Sequence, residues 1–315
     1  MALANEAFRS FLIRGNSWHH RGPFRVMTHQ ARYAVPALLI TGVRVKEHEF
    51  VWPIPFSGCQ MTVVITKNKH ICTVELNRPA ALNAIDRQML DELRSAFDTL
   101  GSREDIRVVV LQGAQGSFCS GADMRLLGSE LSAPLSLGLM KKLGGVILAM
   151  RKIPQPVVVK VRGAAWGGGA NLALAGDFVL AAHDARFCEV FVNIGTVMDG
   201  GGTYFLPRLV GLAKAKELAL LGEEFDGKTA ASIGLIYKSV PGRQLDRHVN
   251  ALAEKLSKRP LQALGLIKEG LESSFDMTLP EALDWEASHQ AIMFQSEEHR
   301  ESVRSFLMRK KLPEP

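Results

Sequence analysis

Two short apolar runs constrain most of what this chain can fold into. "IRVVVLQG" (Ile106–Gly113) and "QPVVVKVRG" (Gln155–Gly163) lack the polar alternation of a half-wet strand and are too short for a core helix. Both read as strands buried on both faces. Each leads into a small-residue loop, "GSFCSGADM" (Gly116–Met124) or "GAAWGGGAN" (Gly163–Asn171), and then into a helical pattern. Strand, small-residue loop, helix and strand again implies parallel β/α construction.

The flanking segments extend this plan. "MTVVIT" and "HICTVEL" read as hairpin strands around a polar turn at Lys67-Asn68-Lys69. Asn83 is placed to cap a helix carrying Ile85, Met89, Leu93, Phe97 and Leu100 on one face. A further helical stretch covers Leu135–Met150. Beyond Gly211 the periodicity is mainly helical, over Ala213–Leu221, Leu245–Leu256, Leu261–Leu271, Pro280–Phe294 and Glu297–Met308. Such an appended layer covers a site or joins subunits.

Composition narrows the function classes. Of 315 residues 47% are hydrophobic and 22% charged, as in ordinary globular proteins. No uninterrupted apolar run approaches the ~20 residues of a membrane span, so no membrane partner is expected. The formal charge is +6, of which residues 1–60 supply +4 from seven Lys/Arg against three Asp/Glu. The remainder has no basic stripe interleaved with aromatics, which argues against nucleic acid. Arg309, Lys310 and Lys311 read as a solvated helix end. Cys59, Cys72, Cys119 and Cys188 form no C-x-x-C pair, so neither a zinc site nor a disulfide framework is expected, and a reducing compartment is. His19-His20 lacks a metal-binding context and reads as a surface pair.

Residues 1–60 have weak periodicity, scattered prolines and six Arg against one acid before Lys46. Two readings stand: a poorly ordered or atypical extension ahead of Met61, with a cytoplasmic enzyme, or an Arg-rich mitochondrial presequence with a matrix enzyme.

The two glycine loops carry the chemistry. Glycine permits close backbone approach, and a free N–H at a helix start is an anion donor. Two such loops at neighbouring strand ends place two N–H groups on one oxygen, the geometry of an oxyanion hole. A competing reading makes Gly167-Gly168-Gly169 half of a dinucleotide fingerprint, with Glu189 as the ribose acid, but the G-x-G-x-x-G pattern fails at Leu172. In the apolar context of Phe191, Val197 and Met198, Asp199 is either a desolvated base of raised pKa or the N-cap of the helix that follows. Asp177 and Asp184 read as structural. Cys119 lies beside the first loop without a base partner, which argues against a nucleophile. Trp166 and Tyr204 read as lining of a pocket or of the core.

"ELNRPAALNAIDRQMLDEL", "SFCSGADM", "VRGAAWGGGANLALAGDFVLAAHDARF", "IGTVMDGGGTYFLPRLVG" and "SEEHRESVRSFLMRKK" together resemble the enoyl-CoA hydratase/isomerase (crotonase) superfamily, in order from about Met61 to Lys311. The resemblance implies an α/β fold, a crotonase-like spiral of ββα units over 61–255 with a helical trimerisation region over 256–315. It also implies a trimer or dimer of trimers and an acyl-CoA thioester substrate, with coenzyme A entering only as part of that substrate and no metal. By the same resemblance Ala122 and Gly168 are the oxyanion donors. Arg78, Ala80, Leu82, Ala122, Asp123 and Met124 lie on the loops that hold CoA, and Phe306 and Arg309 reach a neighbouring subunit's CoA.

Hydratases of this kind carry glutamates at the positions of Asn171 and Phe191, and neither residue here transfers a proton. Asp199 matches the aspartate of family isomerases, among them dienoyl-CoA isomerases and the phenylacetate-pathway enzyme that rearranges a ring epoxide. The expected activity is an acyl-CoA isomerase with Asp199 as proton shuttle on a thioester enolate. Two alternatives stay open: an enoyl-CoA hydratase using Glu189, which otherwise reads as surface or salt-bridged, and a non-catalytic acyl-CoA binding subunit.

Overall fold

The computed structural model describes residues 61–128 and 132–310, and the expected extension over 1–60 lies outside the described residues. The chain begins with an antiparallel hairpin of β1 (Val63–Asn68) and β2 (Ile71–Leu76). Its turn falls at Lys69-His70, later than the expected Lys67–Lys69, because Lys67 and Asn68 complete the pairing with Cys72 and Ile71. Lys69 takes the left-handed conformation, φ 54°.

Helix α1 (Arg87–Gly101) buries Met89, Leu90, Leu93, Ala96, Phe97 and Leu100. Asp86, not Asn83, is its N-cap: the Asp86 carboxylate accepts from the Met89 N–H at 2.8 Å. Asn83 is instead a fully buried strut between loops. Its Nδ2 donates to the Ala114 and Ser117 carbonyls at 3.0 and 2.8 Å, and its Oδ1 accepts from the Arg78 N–H at 2.9 Å.

The two apolar runs form β3 (Val108–Gly113) and β4 (Val157–Val161), joined through α2 (Met124–Leu127) and α3 (Ala133–Lys152). Helix α3 is the one described helix long and apolar enough to cross a membrane by length and composition, an exception to the sequence expectation. Its inner residues Leu139, Leu143, Val146, Ile147 and Met150 belong to the core.

From β4 onward the chain contributes strands to two sheets. Short β5 (Ala164–Trp166) leads into α4 (Gly168–Leu174). Strands β6 (Phe178–Ala182) and β7 (Arg186–Cys188) precede α5 (Gly202–Leu221), which is broken at Gly211 (φ 76°). Then come β8 (Phe225–Asp226), α6 (Gly227–Ser232) and β9 (Lys238–Val240). The larger sheet runs β1-β2-β3-β4-β6-β9 and is parallel from β2 onward; the smaller runs β5-β7-β8. Strands β3 and β4 pair in parallel, and a bridge between Cys119 and Ala165 continues that contact, which brings the segments following the two strands side by side.

Helix α7 (Leu245–Ser257) closes the core with Leu245, Val249 and Ala253. Helices α8 (Leu261–Ser273), α9 (Leu279–Met293) and α10 (Glu297–Lys310) bury no residue of their own. Ion pairs tie α8 to the body: Lys268 to Asp177 at 3.0 Å and Glu272 to Arg151 at 3.0 Å. Asp177 also accepts the Val157 N–H at 2.7 Å, which confirms its structural role.

Candidate active site

The two glycine loops meet as expected. Phe118, Cys119 and Trp166 donate N–H bonds to Arg162, Ala164 and Cys119 carbonyls at 2.8, 2.9 and 3.0 Å, zipping one loop to the other. Gly121 takes φ 92°, a conformation that disfavours any side chain. A Cβ there would sit 2.8 Å from the Trp166 carbonyl oxygen and 3.8 Å from the Gly168 nitrogen. On either side of Ala122 the backbone is pinned to Ile85: the Ile85 N–H donates to Gly121 at 2.8 Å and the Asp123 N–H donates to Ile85 at 2.9 Å. Neither the Ala122 N–H nor the Gly168 N–H, at the start of α4, has an acceptor among the described residues. Two preorganised donors on adjoining loops can stabilise charge on one carbonyl oxygen.

A groove of about 970 Å³ opens beside them, lined by Arg78, Ala80, Leu82, Ala122, Asp123, Met124 and Trp166, among others. All six expected CoA-loop residues therefore share one concavity. The Arg78 guanidinium is engaged within its wall, at 3.1 Å from Asp86 and 2.8 Å from Asp123. Arg125 and Arg78 hold the Asp123 carboxyl well below the usual carboxylate range. Exposed Phe306 and Arg309 lie on α10 and are not among the residues lining this groove. Trp166 is a groove residue, whereas Tyr204 is not a core residue: it is partly exposed and stacked under the Arg208 guanidinium at 3.6 Å.

Asp199 is not among the residues lining the groove and lies against Gly168 at the start of α4. A Cβ at Gly168 would be 3.1 Å from its Oδ1 and 3.9 Å from Leu143 Cδ2. That Oδ1 is buried and has no hydrogen-bond partner among the described residues. Loss of solvation pushes the carboxyl up to about 6. Asp199 is not the N-cap of α5; Gly201 is, and no side chain caps that helix.

Glu189 departs most from its sequence reading. It is only 3% exposed and forms no salt bridge among the described residues, so it is neither a surface acid nor a ribose reader. Its Oε2 accepts from Asn171 Nδ2 at 3.3 Å, and the same nitrogen donates to the Asp199 carbonyl at 2.9 Å. Burial pushes Glu189 up to about 7, against the lowering effect of the Asn171 bond, and the Asp199 charge adds to the rise. Phe191 is buried beside it and supplies no proton. Cys119 is fully enclosed and desolvation raises its thiol to about 12, which removes it as a nucleophile at neutral pH.

The family model for enoyl-CoA hydratase/isomerase matches residues 66–313. The chain belongs to the enoyl-CoA hydratase/isomerase (crotonase) family. As a member of this family it is an acyl-CoA enzyme with the crotonase α/β fold. Among relatives, a Rhodobacter capsulatus protein named "Probable enoyl-CoA hydratase" is 38% identical over 75% of this chain and 91% of its own. The Escherichia coli 1,2-epoxyphenylacetyl-CoA isomerase is 35% identical over 77% of this chain and 94% of its own. The crystal structure of an enoyl-CoA hydratase from Mycobacterium smegmatis superimposes with a TM-score of 0.76, at 29% identity, covering 81% of this chain and 99% of that one. Crotonase-family relatives thus include both hydratases and an isomerase.

Proposed function

We propose that the protein is an acyl-CoA isomerase in which Ala122 and Gly168 N–H groups stabilise a thioester enolate and Asp199 carries a proton between carbons of the acyl chain. The carrying observation is the unpaired, buried Asp199 Oδ1 beside Gly168. A thioester oxygen bound at Gly168 brings its α-carbon next to a carboxylate whose raised pKa suits removal and return of a proton. Asn171 and Phe191 leave no acid at the two positions where the resemblance places hydratase glutamates. The likeness to the Escherichia coli isomerase supports the same reading.

One observation favours a second reading. Glu189 is a second buried acid beside Asp199, and two acids are what hydration of a 2-enoyl-CoA requires. Asp199→Asn separates the readings: for the isomerase it abolishes turnover while acyl-CoA binding survives, and no product gains the mass of water. Hydrated product from 2-enoyl-CoA, persisting in that variant, would overturn the isomerase reading. An unaltered turnover of zero in both forms, with binding intact, would instead support a binding subunit.

The active assembly we propose is a trimer or a dimer of trimers in the cytoplasm, joined through the helical layer. Ile267, Leu271, Leu279, Leu283, Ile292 and Phe294 are all exposed on α8–α9 and their flank, more apolar surface than a free helical layer usually leaves in water. In that arrangement Phe306 and Arg309 are placed to meet a neighbouring subunit's CoA. Sedimentation equilibrium tests it, with a monomer as the contradicting result.

A further inference from the structure

Glu189 has a place that proton shuttling by Asp199 alone does not explain. Its carboxyl is enclosed by β7, the start of α4 and the turn ahead of α5. The groups facing it are Asn171 from α4, Asp199 from that turn and neighbouring Cys188, whose thiol is raised to about 11 by burial and then by Glu189 and Glu224. Among the described residues no cation faces it. Asn171 is fully buried, and its Nδ2 bridges Glu189 Oε2 and the Asp199 carbonyl. The bridge is held by packing: a Cβ at Gly200 would come within 3.1 Å of the Asn171 Cβ, and one at Gly202 within 2.5 Å of its Nδ2. Glu189 therefore orients the amide that holds the backbone of the catalytic aspartate.

We propose that Glu189 is a positioning residue that works through Asn171 and must remain a neutral acid for Asp199 to act, so that its ionisation shuts the site down. Burial without a cation raises both carboxyls, and the charge of Asp199, once ionised, adds to the cost of ionising Glu189 beside it, so Glu189 is the second of the two to lose its proton. Ionisation of both would set a second negative charge beside the base and beside the segment where enolate charge develops, opposing the reaction. Because the acids interact, they titrate as a pair in two steps: the first creates the active form and the second removes it.

This inference rests on the reading of Asp199 as the shuttle, and the test separates the two. We would measure kcat and KM for solvent-deuterium exchange into 3-enoyl-CoA from about pH 5.5 to about pH 9 for the full chain, Glu189→Gln and Asp199→Asn. In the wild type kcat should fall at least ~10-fold from about pH 6.5 to about pH 8.5 with little change in KM. Glu189→Gln should lose that fall, and its kcat ratio between the two pH values should approach one. A purely structural Glu189 would lower activity evenly and leave the alkaline fall in place, which would overturn the inference while Asp199 stood. Loss of all turnover at every pH, equal to that of Asp199→Asn, would also overturn it by making Glu189 a direct acid or base. Exchange that persists in Asp199→Asn would sink the shuttle reading itself. Infrared difference titration of Asp199→Asn is a check independent of Glu189→Gln folding. It should show one buried carboxyl still protonated well above the ordinary carboxylate range, and its absence would overturn the inference.

Discussion

The Asp199 Oδ1 lies where a methyl group on Gly168 would be 3.1 Å away, so the proposed base and the proposed oxyanion donor are neighbours. Gly168→Ala should therefore keep the fold, since Gly168 has an ordinary helical backbone and not a left-handed one. The added methyl would displace the carboxylate and the bound thioester. Turnover should drop roughly 10²-fold with a circular dichroism spectrum like the wild type's. Full activity would show that the thioester does not sit at Gly168.

The pH dependence of stability gives a second test, independent of substrate. Glu189 has a native pKa above its unfolded value, so the native state binds more protons and stability declines as pH rises from about 4.5 to about 7. A carboxyl raised by this much costs on the order of 3 kcal/mol at pH 8. Asp199, raised to about 6, acts in the same direction over a lower window. Urea midpoints of Glu189→Gln and Asp199→Asn should exceed that of the wild type at about pH 8 and converge with it near about pH 4. Variants less stable than the wild type at pH 8 would contradict the burial of these charges.

Asn83 supports the groove from below. Asn83→Ala leaves the Ala114 and Ser117 carbonyls and the Arg78 N–H without their partner, and it puts alanine at φ 56°. The expected loss is roughly 2–4 kcal/mol, read from the denaturant midpoint, with a higher KM for acyl-CoA because the Arg78–Leu82 wall loosens.

Lys268 fixes the helical layer to the body. Lys268→Ala leaves the Asp177 carboxylate, among the described residues, with the Val157 N–H alone. It should cost about 2 kcal/mol and speed amide hydrogen exchange in α8 and α9 while α1 and β3 stay protected.

The parts of the fold written in local periodicity were legible in the sequence. The two apolar runs became β3 and β4, the five C-terminal helical stretches became the second half of α5 and α7–α10, and the paired glycine loops came together. Features set by distant packing were not legible. Asn83 has the composition of a helix cap, but Asp86 caps α1 because Asn83 is drawn into the contact between the 78–84 and 114–118 segments. Strands β5, β7 and β8 are two or three residues long and carry no usable alternation. Of the two readings of Tyr204, pocket or core, its exposure and its stacking with Arg208 exclude the core, a distinction set by packing and not by the sequence. For the site, Asp199 stood out by its apolar neighbours and glycine run. Glu189 reads in the sequence as an alternative acid or a surface residue, and its burial was not legible because it arises where β7 passes the start of α4. A signal was present: an acid between Cys188 and Val190, in a run otherwise apolar through Val192, has few ways to reach water.

The most direct measurement is mass-resolved turnover of 3-enoyl-CoA in deuterated water by the wild type and Asp199→Asn. The expected result is positional isomerisation with deuterium incorporation by the wild type, reduced at least ~10²-fold in the variant while CoA binding is retained. Isomerisation at an undiminished rate in Asp199→Asn, or hydration of 2-enoyl-CoA as the sole chemistry, would contradict Asp199 as the proton shuttle.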